Sequence, residues 1–229
     1  MTVIMELAKK HNLKVIEDCA QAHGAEIDGQ KIGTFGHAAT FSFFPTKNLG
    51  AYGDAGAMAT NDSELAETAR SITNHGQQER HTHTLNGRNS RMDGMQAAIL
   101  SVKLKHLNKW TEERIRKAAL YSSRLENIDA LHIPTKPDNI KHVYHLYVIR
   151  PKNREALREY LSEQGISTIV HYPNALPFQP CYDYQKNTAS DYPVAAQIQD
   201  SVVSLPLYPE LEDDVLIHIA ETLKKFKGL

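Results

Sequence analysis

Phe41-Ser42-Phe43-Phe44-Pro45-Thr46-Lys47-Asn48-Leu49-Gly50 sets an apolar run against a hydroxyl, a proline and a single lysine. Ala38 to Phe44 is rich in β-formers and aromatics, with small residues among them, and reads as a buried strand that runs into a turn at Pro45. That turn delivers Lys47 to a strand end. A lysine beside apolar residues loses its proton more easily, because desolvation disfavours the ammonium, and a neutral amine can condense with an aldehyde. Taken alone, Lys47 reads first as a surface lysine after a strand.

Upstream, Leu13-Lys14-Val15-Ile16-Glu17-Asp18-Cys19-Ala20-Gln21-Ala22-His23-Gly24 repeats the design, a short apolar strand ending in an acid and then small and polar residues. Ligands of α/β folds collect at the carboxyl ends of strands, so Asp18 and Lys47 are two polar groups each placed where such a site forms. Together they match the needs of a pyridoxal 5'-phosphate (PLP) enzyme. A lysine holds the aldehyde, and an acid keeps the pyridine nitrogen protonated as an electron sink.

These two stretches, with Gly53-Asp54-Ala55-Gly56-Ala57, Asn74-His75-Gly76, Asn89-Ser90-Arg91-Met92-Asp93-Gly94-Met95-Gln96-Ala97-Ala98 and His171-Tyr172-Pro173, resemble the DegT/DnrJ/EryC1/StrS sugar aminotransferases. The resemblance covers almost the whole chain. It implies an α/β fold: the C-terminal part of a PLP-dependent transferase (fold type I), with the back of the large-domain mixed sheet and its helices in residues 1–125 and a small α+β domain in 126–229. Family chains are longer, and their front part supplies the first strands and a helix N-terminus for the cofactor phosphate. The chain is therefore expected to be the back portion of such an enzyme.

Composition is compatible with this. The chain has 229 residues, 41% hydrophobic and 23% charged, and a formal net charge of -1, as one large or two small globular domains have. The balance lacks the basic excess of a nucleic-acid surface. No apolar run approaches membrane-spanning length and the first residues lack a signal-peptide layout, so a cytoplasmic location is expected. Cys19 and Cys181 are too few for a disulfide framework, lack metal-ligand spacing, and read as reduced thiols.

In chain order, Met1 to His11 reads as an amphipathic helix feeding the first strand. Glu26 to Gly36, with Asp28-Gly29, reads as a short hairpin or loop, and Ala55 to Thr60 as a buried strand. Asn61-Asp62-Ser63 offers N-cap oxygens to a helix over Glu64 to Thr73. The polar stretch from Asn74 to Asn89 reads as a loop, and its His75, His81 and His83 lack the partners of a metal site. Met92 to Tyr121 carries one long helical stripe, with Met95, Ile99, Val102, Leu107 and Trp110 at spacings near three and four. Beyond it, His142 to Ile149 and Ile166 to Val170 read as strands, Arg154 to Gln164 as a helix stopped by Gly165, and Asp213 to Phe226 as the last helix.

The resemblance assigns roles residue by residue. Lys47 is the Schiff-base lysine and general acid-base, and Asp18 is the partner of the ring nitrogen. Ser42 is a cofactor phosphate ligand, and Gln21 neighbours the ring or its oxygen. Asn89 contacts the phosphate of the other subunit's cofactor, which implies a homodimer. Arg91 faces substrate phosphates or the donor carboxylate, though an arginine there equally fits a structural pair. His171 and Tyr172 come over the active-site mouth with substrate. No metal is implied. Related sugar dehydratases carry histidine in place of the lysine, so Lys47 selects amine transfer from glutamate or glutamine to a keto-sugar nucleotide. The motif wording favours a dTDP-linked 3-keto-6-deoxyhexose, as in deoxysugar biosynthesis. Ala175 and Pro177 stand where the commoner family form has proline and histidine, and other nucleotide sugars, a 4-keto sugar or an inosose stay open. A truncated, non-catalytic relative acting as a binding or interaction protein is the alternative. An unrelated phosphate-binding α/β domain lacks support, since neither a Gly-x-x-x-x-Gly-Lys nor a Gly-x-Gly-x-x-Gly sequence occurs.

Overall fold

The apolar run before Pro45 forms the middle strand of a three-stranded mixed sheet. A computed structural model describes residues 1–228. The elements begin with α1 (Thr2–Lys10), β1 (Ile16–Asp18), β2 (Glu26–Ile27), β3 (Gln30–Lys31), β4 (Ala38–Ser42), β5 (Gly56–Ala59) and α2 (Ser63–Thr73). Then come β6 (Gln77–Glu79), β7 (Thr82–His83), α3 (Gly94–Leu104), α4 (Leu107–Leu125), β8 (Leu131–His132) and β9 (Ile140–Lys141). The chain closes with β10 (Tyr147–Pro151), α5 (Arg154–Glu163), α6 (Pro193–Gln199), β11 (Val203–Leu205) and α7 (Asp213–Lys224). Two compact units result: Met1–Thr111 with Pro137–His145, and Glu112–Lys136 with the residues from Leu146 onward. Where the sequence reading divides the chain near residue 125, the first unit closes at Thr111 and regains Pro137–His145.

In the first unit β1 lies parallel to β4, pairing Glu17 with Ala39 and Asp18 with Thr40, while β5 runs antiparallel on the other side. Parallel pairing in register brings the carboxyl ends of β1 and β4 to the same end of the sheet. Period-two alternation then sorts the side chains. Glu17, Ala39 and Phe41 face one way, and Asp18, Thr40 and Ser42 the other. Beneath the turn after β4, Leu49, Ala51, Leu100 and Leu107 form a buried cluster with Phe43, Ala55 and Met92 packed on it. The Asp28-Gly29 turn has positive φ at both residues, 52° and 77°, the conformation of a tight hairpin turn, and closes β2 onto β3 as expected. The hairpin pairs with β9 rather than with the main sheet. Asp62 caps α2 by accepting from the Leu65 amide at 3.0 Å.

Five sequence expectations are corrected. Gly56–Ala59 is a strand but exposed along its length, because β5 is an edge of its sheet and carries mostly small residues. Of His142 to Ile149 only the residues from Tyr147 are strand, because Tyr144 adopts φ 44°, which breaks the extended run. The stripe over Met92 to Tyr121 is two helices, because the chain turns at Lys105–His106, where His106 N–H donates to the Lys103 carbonyl. The polar stretch after Asn74 is not wholly loop: β6 and β7 pair across a tight turn in which His81 has φ 68°. Ile166 to Val170 contributes only an isolated bridge, Ile169 to Ser204, rather than a strand.

The second unit has an antiparallel sheet in the order β11, β10, β8. Its core gathers Tyr121, Leu125, Tyr147, Ile149, Leu157, Leu161, Val203, Leu216 and Leu223, all shut off from solvent. The Tyr121 and Tyr147 rings lie 4.9 Å apart, and the Tyr121 hydroxyl donates to the Pro206 carbonyl at 3.0 Å. Burial, with Tyr147 and Tyr208 nearby, pushes the Tyr121 phenol above its ordinary value, so it stays a donor. No described helix is long and apolar enough to cross a membrane.

Candidate active site

Asp18 ends β1 with its carboxylate exposed, on the sheet face it shares with Thr40 and Ser42. One carboxylate oxygen, Oδ1, accepts from the Ala20 amide at 3.0 Å, which fixes the side chain; Oδ2 has no hydrogen-bond partner among the described residues. Ser42 ends β4 half-buried, and its Oγ accepts from the Phe44 amide at 3.3 Å, leaving the hydroxyl proton to donate outward. Glu17, next to Asp18 but on the opposite face, is built in instead. Its carboxylate accepts from Gly33 N, Phe35 N and Gly36 N at 2.8, 2.8 and 2.7 Å, holding the loop before β4 to β1.

Lys47 is half-buried in the turn after β4, where its amide donates to the Phe44 carbonyl at 2.9 Å. No hydrogen bond or ion pair engages its ammonium among the described residues. The turn is tight enough that a Cβ at Gly50 would collide with the Pro45 carbonyl. Two side chains of α3 pin it: Lys103 donates to the Gly50 carbonyl, and Gln96 Oε1 accepts from the Tyr52 amide at 2.8 Å. Asn48 pins it a third time, through Val143 and His145.

His23, only 3% exposed, sits between the rings of Phe41 and Phe43, whose centroids are 5.8 and 5.7 Å away. Neither ring nitrogen completes a hydrogen bond, although the Ser42 carbonyl is close. Burial pushes the imidazole below its ordinary value, the Ser42 carbonyl pulls it partly back, and the Lys47 ammonium nearby adds to the lowering. Burial, with Glu17 and Asp18 nearby, pushes the Cys19 thiol up to about 11, which leaves it unreactive.

The remaining expected site residues lie elsewhere. Gln21 is exposed on the turn after β1, with no hydrogen bond of its side chain among the described residues. Asn89 is exposed and bridged through its backbone to Asn74, at the base of the β6–β7 hairpin. Arg91 Nη1 donates to Asn74 Oδ1 at 2.8 Å, so its nearest partner is an amide of the same unit and not a carboxylate. No hydrogen bond joins Asn89 or Arg91 to Asp18, Ser42 or Lys47 among the described residues. His171 and Tyr172 belong to the second unit, where His171 Nδ1 lies 2.8 Å from Ser204 Oγ and its ring meets Tyr172 edge-on at 5.3 Å. Tyr172 is exposed. Among the described residues, no group of histidines, cysteines and carboxylates is placed to hold a metal ion.

The sequence signature of the DegT/DnrJ/EryC1/StrS aminotransferase family matches residues 1–224. The chain belongs to this family. A pleiotropic regulatory protein of Geobacillus stearothermophilus is 46% identical over 99% of this chain and 61% of its own length. The dTDP-3-amino-3,6-dideoxy-alpha-D-galactopyranose transaminase of Aneurinibacillus thermoaerophilus is 44% identical over 99% of this chain and 61% of its length. Among solved structures, S. venezuelae DesV in complex with a ketimine intermediate superposes with TM-score 0.94 at 38% identity, covering 98% of this chain and 61% of that one. The DegT/DnrJ/EryC1/StrS chain described here thus spans about three fifths of the length of the relatives it matches. The family is PLP-dependent. The groups at the end of β1 and β4 fit that cofactor chemically: an unengaged carboxylate oxygen, a hydroxyl proton and an unengaged amine.

Proposed function

We propose that the chain carries the lysine end of a PLP-dependent aminotransferase that moves an amino group from glutamate or glutamine to a keto-sugar nucleotide, with a dTDP-linked 3-keto-6-deoxyhexose as the sugar. The observation that supports it is the placement of Asp18 and Ser42 at the paired carboxyl ends of β1 and β4, with Lys47 in the turn that follows, each keeping one polar group unengaged: Asp18 Oδ2, the Ser42 hydroxyl proton and the Lys47 amine. The transaminase name of the Aneurinibacillus relative supports the sugar.

PLP, when bound, supplies an electron-withdrawing ring that stabilises the carbanion left as the substrate carbon loses its proton. Lys47 Nζ would hold the cofactor through its aldehyde and, as a neutral amine, would act as the base that takes the proton from the substrate carbon and as the acid that returns it. Asp18 would pair with the ring nitrogen, its negative charge favouring the protonated, positive ring. Ser42 would donate its hydroxyl proton to the cofactor phosphate, and Gln21 would orient the ring oxygen. In this reading a homodimer brings Asn89 to the partner's phosphate, Arg91, His171 and Tyr172 hold substrate, and the enzyme works in the cytoplasm.

The second reading is a non-catalytic relative that binds a partner, and the 46% identity to a protein named as a pleiotropic regulator favours it. One assay separates the two. The chain is incubated with PLP, L-glutamate and a dTDP-linked 3-keto-6-deoxyhexose, and 2-oxoglutarate and aminated nucleotide sugar are followed by mass. Lys47-dependent formation of both is the expected result. PLP bound at Lys47 without either product would leave the binding reading in place.

A further inference from the structure

Asn48 follows the reactive lysine directly and is 7% exposed. Among the described residues its own backbone makes no hydrogen bond, so the side chain alone secures it. Nδ2 donates to the Val143 carbonyl at 3.1 Å, 95 residues away, and Oδ1 lies 3.1 Å from His145 Nδ1. Val143 O can only accept, which sets the direction of the amide. The amide oxygen can only accept too, so His145 Nδ1 is the donor.

The segment Pro137–His145 is held to the first unit at its other end as well. Asn139 Nδ2 donates to Asp28 Oδ1 at 2.9 Å, the Asp28 amide donates to the Asn139 carbonyl at 2.8 Å, and β9 pairs with β2. The segment is therefore a strap, tied at one end to the β2–β3 hairpin and at the other to the lysine turn. It leads straight into β10.

We propose that Asn48 is a positioning residue. By gripping Val143 and His145, it fixes the direction in which the turn presents Lys47 Nζ, so the strap helps set the reactivity of that amine. This rests on the reading of Lys47 as the cofactor-binding amine. A buried amide with both ends satisfied is demanding to replace, because removing either partner strands a buried polar group.

The test uses Asn48→Ala, His145→Ala and His145→Asn. Asparagine's Nδ2 takes the place of the imidazole Nδ1 and keeps the donor. Two readouts are taken: the yield of PLP reduced onto Lys47 by borohydride, mapped by mass, and the rate of Lys47 acetylation by an N-hydroxysuccinimide ester relative to exposed Lys9 and Lys109. Asn48→Ala is expected to lower the trapped yield roughly tenfold and to change relative Lys47 acetylation, as misplacement of a reacting group does. His145→Ala should fall between it and the parent, and His145→Asn should restore parental behaviour while all melt as folded chains. Parental yields and rates in both alanine variants would overturn the proposal. If the parent traps no PLP at Lys47, the functional reading fails, and the acetylation ratios still decide the strap. If Asn48→Ala does not fold, the two His145 variants decide it by the same ratios.

Discussion

Glu17 and Asp18 are adjacent carboxylates on one strand, yet the structure uses them in opposite ways. Glu17 turns inward, 8% exposed, and is saturated by three backbone amides. Asp18 turns to the open face, accepts one amide and keeps an oxygen unengaged. The first holds the loop that precedes β4; the second is left available to a ligand. The difference comes from the pleat and not from the residues, since one step along a strand reverses the face. Residue type alone therefore cannot separate an acid used to hold the fold from one left open to a ligand.

The largest effect should come from removing Lys47, the amine proposed to take the cofactor. Lys47→Ala is expected to abolish borohydride-trapped PLP at the turn while altering stability by under about 1 kcal/mol, as for a half-buried side chain without bonded partners. Mass mapping and a urea melt check both halves.

Next is the buried acid. Glu17→Ala strips three charge-assisted bonds from Gly33, Phe35 and Gly36, and should destabilise the chain by about 3 kcal/mol. Its counterpart sharpens the contrast. Asp18→Asn keeps the bond to Ala20 and should leave stability within about 0.5 kcal/mol, yet weaken PLP binding roughly tenfold, because an amide cannot hold the ring proton by charge. A urea-melt loss for Asp18→Asn matching that of Glu17→Ala would break the comparison.

A smaller effect tests the inward face by pH. His23 in the folded chain titrates below its ordinary value of 6.5, chiefly through burial, so the unfolded chain binds more protons between the two values. Its contribution to stability is full above 6.5 and is lost as pH falls through 6.5 towards the folded value. His23→Leu should flatten that part of the stability profile in melts taken across this range.

The smallest is chemical. Cys181 is exposed and should react with a thiol reagent in the folded protein, whereas Cys19, buried and with its thiol pushed up to about 11, should react only after denaturation. Two fast thiols would show that the inward face is open.

What the sequence makes legible here is local. Pro45 ending a β-rich run, Asp28-Gly29 forcing a tight turn and Asp62 before a helical stripe each act within a few residues, and each appears in the fold where expected. Asp18 and Ser42 were legible as strand ends, and parallel pairing of β1 with β4 is what places those ends together. The anchors of the lysine turn were not legible. Asn48 finds its partners 95 and 97 residues away and Gln96 reaches back 44, and no local pattern encodes such pairings. The break at Lys105–His106 escaped because no glycine or proline marks it and the apolar spacing continues on both sides. The β6–β7 hairpin escaped because its residues are polar and exposed, so there is no alternation to read.

The account stands most directly on whether Lys47 is the amine that takes the cofactor. Purified chain would be mixed with PLP, reduced with borohydride, digested and mapped by mass. Modification confined to Lys47, and weakened in Asp18→Asn, is the predicted result. Modification spread over exposed lysines such as Lys9 and Lys109, with Lys47 no more reactive than they are, would contradict it.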